Sequence, residues 1–486
     1  MGALRYNPRE PAGKISAMLT LRRPIGLFVF HSFAAFLLPG GLPAAEETAQ
    51  EVEAPAARPI SDIEKDMKLA IASRNYLKLG ELAQEAADLR SVEGIKLVIQ
   101  YTLRGDDYDL EARVFRIFKA IEERPLRAAI YHEALKNPNF KTRIVLLGVV
   151  FQLREDPAAF AVLLEALKDP ARPVALTAVR RLREARNVDR AVPALIESLG
   201  HHGKRPQSRM ACDIRAALRS LTGTNLEAVE DWRNYWETRK SAGPGAGKPR
   251  ADGKTRVVRP TFFSNAIESD KIVFIIDVSG SMLKRDPPPK KRKTAPAKPE
   301  PAPTPGKTVV RKTKAEKAAE EEADKPVVEA DLPVERERLF RVKEELVRTI
   351  GSLPQSVAFT VLSYSNTLAF IGDSPQLLLA TAENKQKAIE WVKKMKAEGE
   401  TWTDTAFERV LGEVKDADTI FLLSDGQPYR NGKSIPPAAA LDTIKTLNRF
   451  IKARINTIGF LQAGSNLQIF LRNLASQHDG TYTPLE

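Results

Sequence analysis

Between about residues 61 and 240, Leu, Ile, Val and Ala recur at three- and four-residue spacings with hardly any two-residue alternation, which predicts helix throughout. Beyond Val257 the pattern changes to short continuous apolar runs separated by amphipathic stretches. The runs predict strands at 271–277, 357–364, 418–424, 455–460 and 481–485. The stretches between them predict helices near 335–352, 382–397, 404–415, 437–453 and 466–477. Strands alternating with helices imply a mostly parallel, doubly wound (Rossmann-like) α/β sheet. The expected fold is therefore multidomain, all-α followed by α/β.

Within the helical half, "HEALKNP" from His132, "LEALKDP" from Leu164 and "IESLGHH" from Ile196 recur so that Glu133, Glu165 and Glu197 lie 32 residues apart. Each segment ends one helix, and after an Asn-Pro, Asp-Pro or Gly-His break a second helix follows. A helix pair repeated at this interval is the pattern of an α-solenoid, where each pair covers its neighbour's apolar face. The Asp-Pro turn and the Val/Ala/Leu-rich second helix resemble HEAT repeats, closely over 130–225 and loosely over 61–130. Trp232 and Trp236, one helical turn apart, predict a closing helix over 230–240.

The flanking segments divide the chain further. Arg22 and Arg23 precede an apolar run from Ile25 to Leu38, then small residues and Glu46. The run is shorter than the ~20 residues of a membrane span and fits a secretory signal over 1–45, with Met18 as an alternative start and cleavage after Ala44 or Ala45. The chain is thus expected to be exported, periplasmic or extracellular, touching a membrane only in transit. Residues 46–60 read as a flexible lead-in, 61–240 as the helical repeat domain, 241–256 as a Gly/Pro linker and 257–486 as the α/β domain. A Pro/Lys/Glu-rich insert over 287–325 cannot bury enough apolar surface to fold alone. It contributes heavily to the formal net charge of +13, yet Glu320, Glu321 and Glu322 offset its basic part, so nucleic acid is not the expected partner. The single cysteine, Cys212, excludes intrachain disulfides and Cys-rich zinc sites, and five histidines leave little room for His-based chemistry.

The candidate chemistry lies where the predicted strands end. "KIVFIIDVSGSMLK" carries Asp277, Ser279 and Ser281 at spacings of two beyond an apolar run, with Gly280 letting the chain bend. One carboxylate and two hydroxyls offer only oxygen, which suits a hard divalent cation. "GETWTDTAFERVL" from Gly399 brings hydroxyls at Thr401, Thr403 and Thr405 to a helix start, and "DTIFLLSDGQP" from Asp418 ends a second apolar strand in Ser424-Asp425-Gly426. In doubly wound sheets, ligands bind beyond the carboxyl ends of the strands.

These three motifs, in this order, resemble the von Willebrand factor type A (VWA) domain and its metal-ion-dependent adhesion site. The resemblance extends over about 268–486, including "INTIGF" and "LASQHDGTYTPL". It implies a metal set of Asp277, Ser279, Ser281, Thr401 and Asp425 holding Mg2+, or Mn2+ or Ca2+ in its place. It also implies a protein ligand whose acidic side chain completes the metal's shell. Two departures stand out. Glu400 replaces the second glycine the family usually has before the threonine, and the charged insert interrupts a loop that is short in the family. The expected function is a non-enzymatic, adhesion- or scaffold-type binding module, with no nucleophile–base pair beside the oxygens. The alternatives are a serine-type hydrolase using Ser279 or Ser281, for which His478 is distant in sequence, and a polyanion binder through Lys290 to Lys298. The oligomeric state is not specified by the sequence.

Overall fold

The computed structural model describes residues 58–105, 107–202, 205–242, 259–287, 332–460 and 465–485. The expected export signal, almost all of the charged insert and most of the 241–256 linker lie outside the described residues.

Eleven α-helices are described from Ile60–Ala72 to Val229–Ala242, arranged as successive pairs around one apolar core. Their starting points follow from local chemistry. The side chains of Asn75, Ser91, Asp107, Asn139, Asp156, Asn187 and Ser208 each precede a helix and accept a first-turn backbone N–H. The Asp-Pro break has a second role, because both carboxylate oxygens of Asp169 receive the Arg143 guanidinium at 2.8 Å, linking one helix pair to the next. Trp232 is fully buried in the closing helix and donates its indole N–H to the Leu226 carbonyl at 3.1 Å.

The second half forms a mixed sheet. After a short hairpin of β1 (Thr261–Phe262) and β2 (Asn265–Ala266), the strands are β3 (Lys271–Asp277), β4 (Ala358–Tyr364), β5 (Leu368–Phe370), β6 (Leu378–Leu379) and β7 (Thr419–Ser424). The hairpin β8 (Tyr429–Arg430) and β9 (Lys433–Ser434) follows, then β10 (Arg454–Phe460) and β11 (Tyr482–Leu485). The main sheet runs β11-β10-β7-β3-β4-β5, with β6 also on β4; the first five strands are mutually parallel and β5 and β6 antiparallel. Strand β3 sits at the centre, apolar on both sides as such a strand must be. Ile272, Phe274 and Ile276 pack toward the helices Arg338–Ser352 and Ala382–Lys393, whereas Val273 and Ile275 pack toward Thr403–Glu413, Pro437–Asn448 and Asn466–Gln477. After Lys271 the strand is apolar on both faces, and its next polar residue, Asp277, falls at the sheet's carboxyl edge.

The opposite, amino edge of the sheet rests on the helical region. Fully buried Arg209 donates to the carbonyls of Asp418 and Lys452, the latter at 3.1 Å, and to Asp213 at 3.1 Å. Arg454 pairs with Asp213 and with Glu268, and Arg449 pairs with Glu111. Phe450 packs into the helical core itself. The two regions therefore share a desolvated charged interface rather than a tether alone.

Candidate functional site

Four of the five expected ligands form one hydrogen-bonded chain. The Ser279 and Ser281 hydroxyl oxygens lie 3.1 Å apart, and Ser281 Oγ donates to Asp425 Oδ1 at 2.6 Å. Asp277 lies behind them, fully buried, its Oδ1 accepting the Ser279 backbone N–H at 2.8 Å. Its Oδ2 accepts from the Ser424 hydroxyl at 2.6 Å and the Tyr364 hydroxyl at 3.4 Å. The Asp277–Ser279 link is an Asx-type turn, which is how a strand end redirects the next two side chains toward one point.

The loop bearing Thr401 is tied to the same spot through backbone. Glu398 N–H donates to the Val278 carbonyl at 2.8 Å, and Gly280 N–H to the Gly399 carbonyl at 3.0 Å. Gly399 takes φ +78°, and a Cβ there would stand 2.1 Å from Asn366 Oδ1, so this position requires glycine. Thr401 is buried, with Oγ1 3.0 Å from where a Cβ on Gly426 would sit. It is thus a neighbour of Asp425, although among the described residues its hydroxyl makes no hydrogen bond to the other four. Thr403 bonds instead to the Tyr364 hydroxyl at 3.2 Å, and Thr405 accepts from Arg430 at 2.8 Å.

Glu400 has a structural explanation. Its carboxylate accepts from Trp402 Nε1 at 2.8 Å and from the backbone N–H groups of Asn431 and Gly432 at 2.7 and 2.9 Å. It clamps the Thr401 loop to the β8–β9 hairpin.

Residues without an assigned role in the sequence reading complete the site. Ser424 and Tyr364 hold Asp277. Arg338, at the start of its helix and 6% exposed, donates Nη1–H to Asp425 Oδ2 at 2.7 Å. Its Nε and Nη2 donate to Asp286 at 3.0 and 2.7 Å, and its guanidinium lies 5.2 Å from the Phe460 ring centroid. Asp286 immediately precedes the charged insert, and Arg338 opens the helix that follows it. The segments flanking the insert are stapled together by the antiparallel Arg285–Glu337 bridge and by Arg338 N–H to the Lys284 carbonyl at 3.0 Å. Spacing in sequence hides this arrangement, because a helix-first Arg after a long insert has no periodic signature.

Electrostatics set Asp277 apart. Burial, and then the nearby Asp425 charge, push its carboxyl up to about 7, against the lowering effect of the Ser424 and Ser279 hydrogen bonds. Burial and the Asp277 charge raise the Tyr364 phenol well above its ordinary value, so it remains a donor. Asp277 is thus a buried carboxyl facing hydroxyls and a second carboxylate, a setting in which added positive charge favours its ionised form. Among the described residues no three His, Cys, Asp or Glu side chains form a metal cage. The donor set depends on hydroxyls, and its all-oxygen character fits a hard divalent ion that keeps water in part of its shell.

His478 lies at the other edge of the sheet. Its carbonyl accepts the Ile455 N–H at the start of β10, its ring is 3.0 Å from Asn448 Nδ2, and burial lowers its pKa to about 4. In a parallel sheet this is remote from the two serines, which follow the carboxyl end of β3.

No family model matches the chain. Among solved structures, it is similar to a von Willebrand factor type A protein from Catenulispora acidiphila (18% identity, TM-score 0.29), over 46% of this chain and 39% of that one. It is also similar to the D319A mutant of the PilB minor pilin from Streptococcus sanguinis (11% identity, TM-score 0.29), over 44% of this chain and 56% of that one. Each match spans less than two thirds of the other chain's length, and similarity at this level carries no argument about function.

Proposed function

We propose that the protein is an exported, non-enzymatic binding module whose VWA-type domain recognises an acidic group of a protein partner through a divalent cation. The observation that carries the reading is the Ser279–Ser281–Asp425 oxygen chain backed by fully buried Asp277 at the carboxyl edge of the sheet. Ser279, Ser281 and Thr401 would supply hydroxyl ligands; Asp425 and Asp277 would supply charge, directly or through water. Mg2+ is the expected ion, with Mn2+ or Ca2+ able to replace it. When bound, the ion supplies a positive centre with an exchangeable water position that a carboxylate can fill. The chain's own residues do the rest. Ser424, Tyr364 and the Ser279 amide fix the Asp277 carboxylate, Glu400 fixes the Thr401 loop, and Arg338 holds Asp425.

A recognition role accounts for the absence of a histidine near Ser279 and Ser281 among the described residues better than hydrolysis does. The helical region, read as a HEAT-like solenoid, holds the amino edge of the sheet and leaves the carboxyl edge for ligand. The test is a pull-down from the native envelope fraction with immobilised full-length protein. Partners retained with Mg2+, released by EDTA and lost with Ser281→Ala support the reading; retention indifferent to metal and to that substitution contradicts it.

A further inference from the structure

In the helical region, far in sequence from the oxygen cluster, a cavity of about 150 Å3 opens at the turns between neighbouring helix pairs. Four arginines line it, Arg154, Arg181, Arg186 and Arg190, together with Phe151 and Phe160. Glu155 is the carboxylate among its lining residues, and it pairs with Arg186 at 3.3 Å on the exposed rim. Four cations against one anion is an unbalanced lining: Arg154 and Arg181 are half-buried and Arg186 and Arg190 exposed, whereas buried arginines such as Arg143 and Arg338 are paired with carboxylates.

Three of the guanidinium groups also lie over aromatic rings. The Cζ atoms of Arg154 and Arg181 lie 4.5 and 4.8 Å from the centroid of the same Phe151 ring, and Arg190 Cζ lies 5.2 Å from that of Phe160. An aromatic ring engages the cation electrostatically and accepts none of its in-plane N–H bonds, which stay available to an oxyanion. Arg154 spends one N–H on the Phe151 carbonyl at 3.1 Å, while its buried Nε–H has no acceptor. Among the described residues no carboxylate lies within 4.0 Å of Arg154, Arg181 or Arg190. Two like charges gathered on one ring repel each other, and an anion between them would relieve that repulsion.

We propose that this cavity is an oxyanion subsite that takes a phosphoryl group, the dianion whose oxygens match several guanidinium forks at once. The volume is below the ~300–1,000 Å3 usual for whole small-molecule ligands, so a single phosphoryl group, free or carried on a side chain, fits and a nucleotide does not. The site is independent of the metal reading, because no residue is shared between them.

Isothermal titration of the full-length chain at low ionic strength tests it, with inorganic phosphate in one arm and a short phosphoserine peptide in the other. The wild type should bind phosphate, and Arg181→Gln and Arg190→Gln should each weaken binding tenfold or more with an unchanged far-ultraviolet spectrum. Arg181→Lys, which keeps the charge but not the fork, should fall between. Tighter binding of the peptide than of phosphate assigns the phosphoryl group to a partner protein; tighter binding of phosphate assigns it to a free anion. Failure of the wild type to bind either probe at millimolar concentration overturns the proposal. So does phosphate binding left unchanged by both Gln substitutions.

Discussion

Replacing Arg338 by methionine should have opposite effects on the metal-free and metal-bound protein. The substitution keeps much of the side chain's length and removes the donors to Asp425 at 2.7 Å and to Asp286 at 2.7 and 3.0 Å. Asp286 retains Arg341 at 3.2 Å, but the fully buried Asp425 carboxylate loses its cation. Breaking a buried ion pair from one side costs about 3–5 kcal/mol, so the metal-free variant should unfold at distinctly lower urea concentration. The same loss frees Asp425 for a divalent ion. A guanidinium about 4 Å from a carboxylate is worth about 4 kcal/mol at an effective dielectric of about 20. Asp286 engages part of that guanidinium charge, leaving roughly a third to two thirds of it bearing on the site. Mg2+ should therefore bind about ten- to a hundredfold more tightly to Arg338→Met than to wild type. Urea unfolding with and without Mg2+, beside calorimetric titration, reads both effects. Equal Mg2+ affinities in variant and wild type would refute the argument, as would unchanged metal-free stability.

Without a divalent ion, Asp277 holds its proton to about pH 7 in the folded state and loses it near pH 4 when unfolded, so its own contribution to stability should fall by a few kcal/mol as pH rises from about 4 through 7, opposed by buried His478, whose depressed pKa of about 4 makes its contribution rise over the lower part of that range. The stability of the wild type minus that of Asp277→Asn removes the shared His478 contribution and should show that fall, and saturating Mg2+ should abolish it, since metal binding needs the carboxylate; a difference that stays flat from pH 4 to 7 without metal counts against the assignment. Gly399→Ala, forcing an L residue to φ +78°, should cost about 1–2 kcal/mol in chemical denaturation and weaken Mg2+ binding by displacing the Thr401 loop; full affinity would show that the Gly399–Gly280 tie does not position the site. Arg209→Met should destabilise the full chain by about 3–5 kcal/mol, read by urea unfolding, because two carbonyls and one side of Asp213 lose their buried donor; a change under 1 kcal/mol would mean the regions are only loosely joined.

Much of the α/β region is legible in sequence because its strands are buried on both faces. The run Ile272 to Ile276 is continuous and apolar until it meets the Asp277 carboxylate, and β3 ends there; β4, β7, β10 and β11 each lie within one residue of expectation. Strands of two or three residues, such as β5, β6 and the β8–β9 hairpin, are too short to show a period, and only the sheet edge defines them. The 32-residue recurrence of Glu133, Glu165 and Glu197 marks the helix pairs, since each pair has to bury the same face. The docking of Arg209, Arg449 and Arg454 leaves no such mark, because charged residues on a helix or loop look alike whether they face solvent or a partner. At the site, Asp277, Ser279, Ser281 and Asp425 could be read because they follow strands directly. Arg338 could not be read, because its pairing with Asp425, 87 residues away, depends on how the insert's ends are stapled. Glu400 was visible as a departure from the VWA pattern, but its clamp on Asn431 and Gly432 emerges only in three dimensions.

The central claim is that these oxygens hold a divalent cation, and calorimetric titration of the full-length protein with Mg2+ and Mn2+ tests it most directly. Wild type should bind one ion of either kind at a single site. Asp277→Ala should abolish binding, and Ser279→Ala should weaken it while leaving the unfolding transition nearly unchanged. Equal binding by wild type and Asp277→Ala, or no binding by the wild type of either ion, would contradict the account.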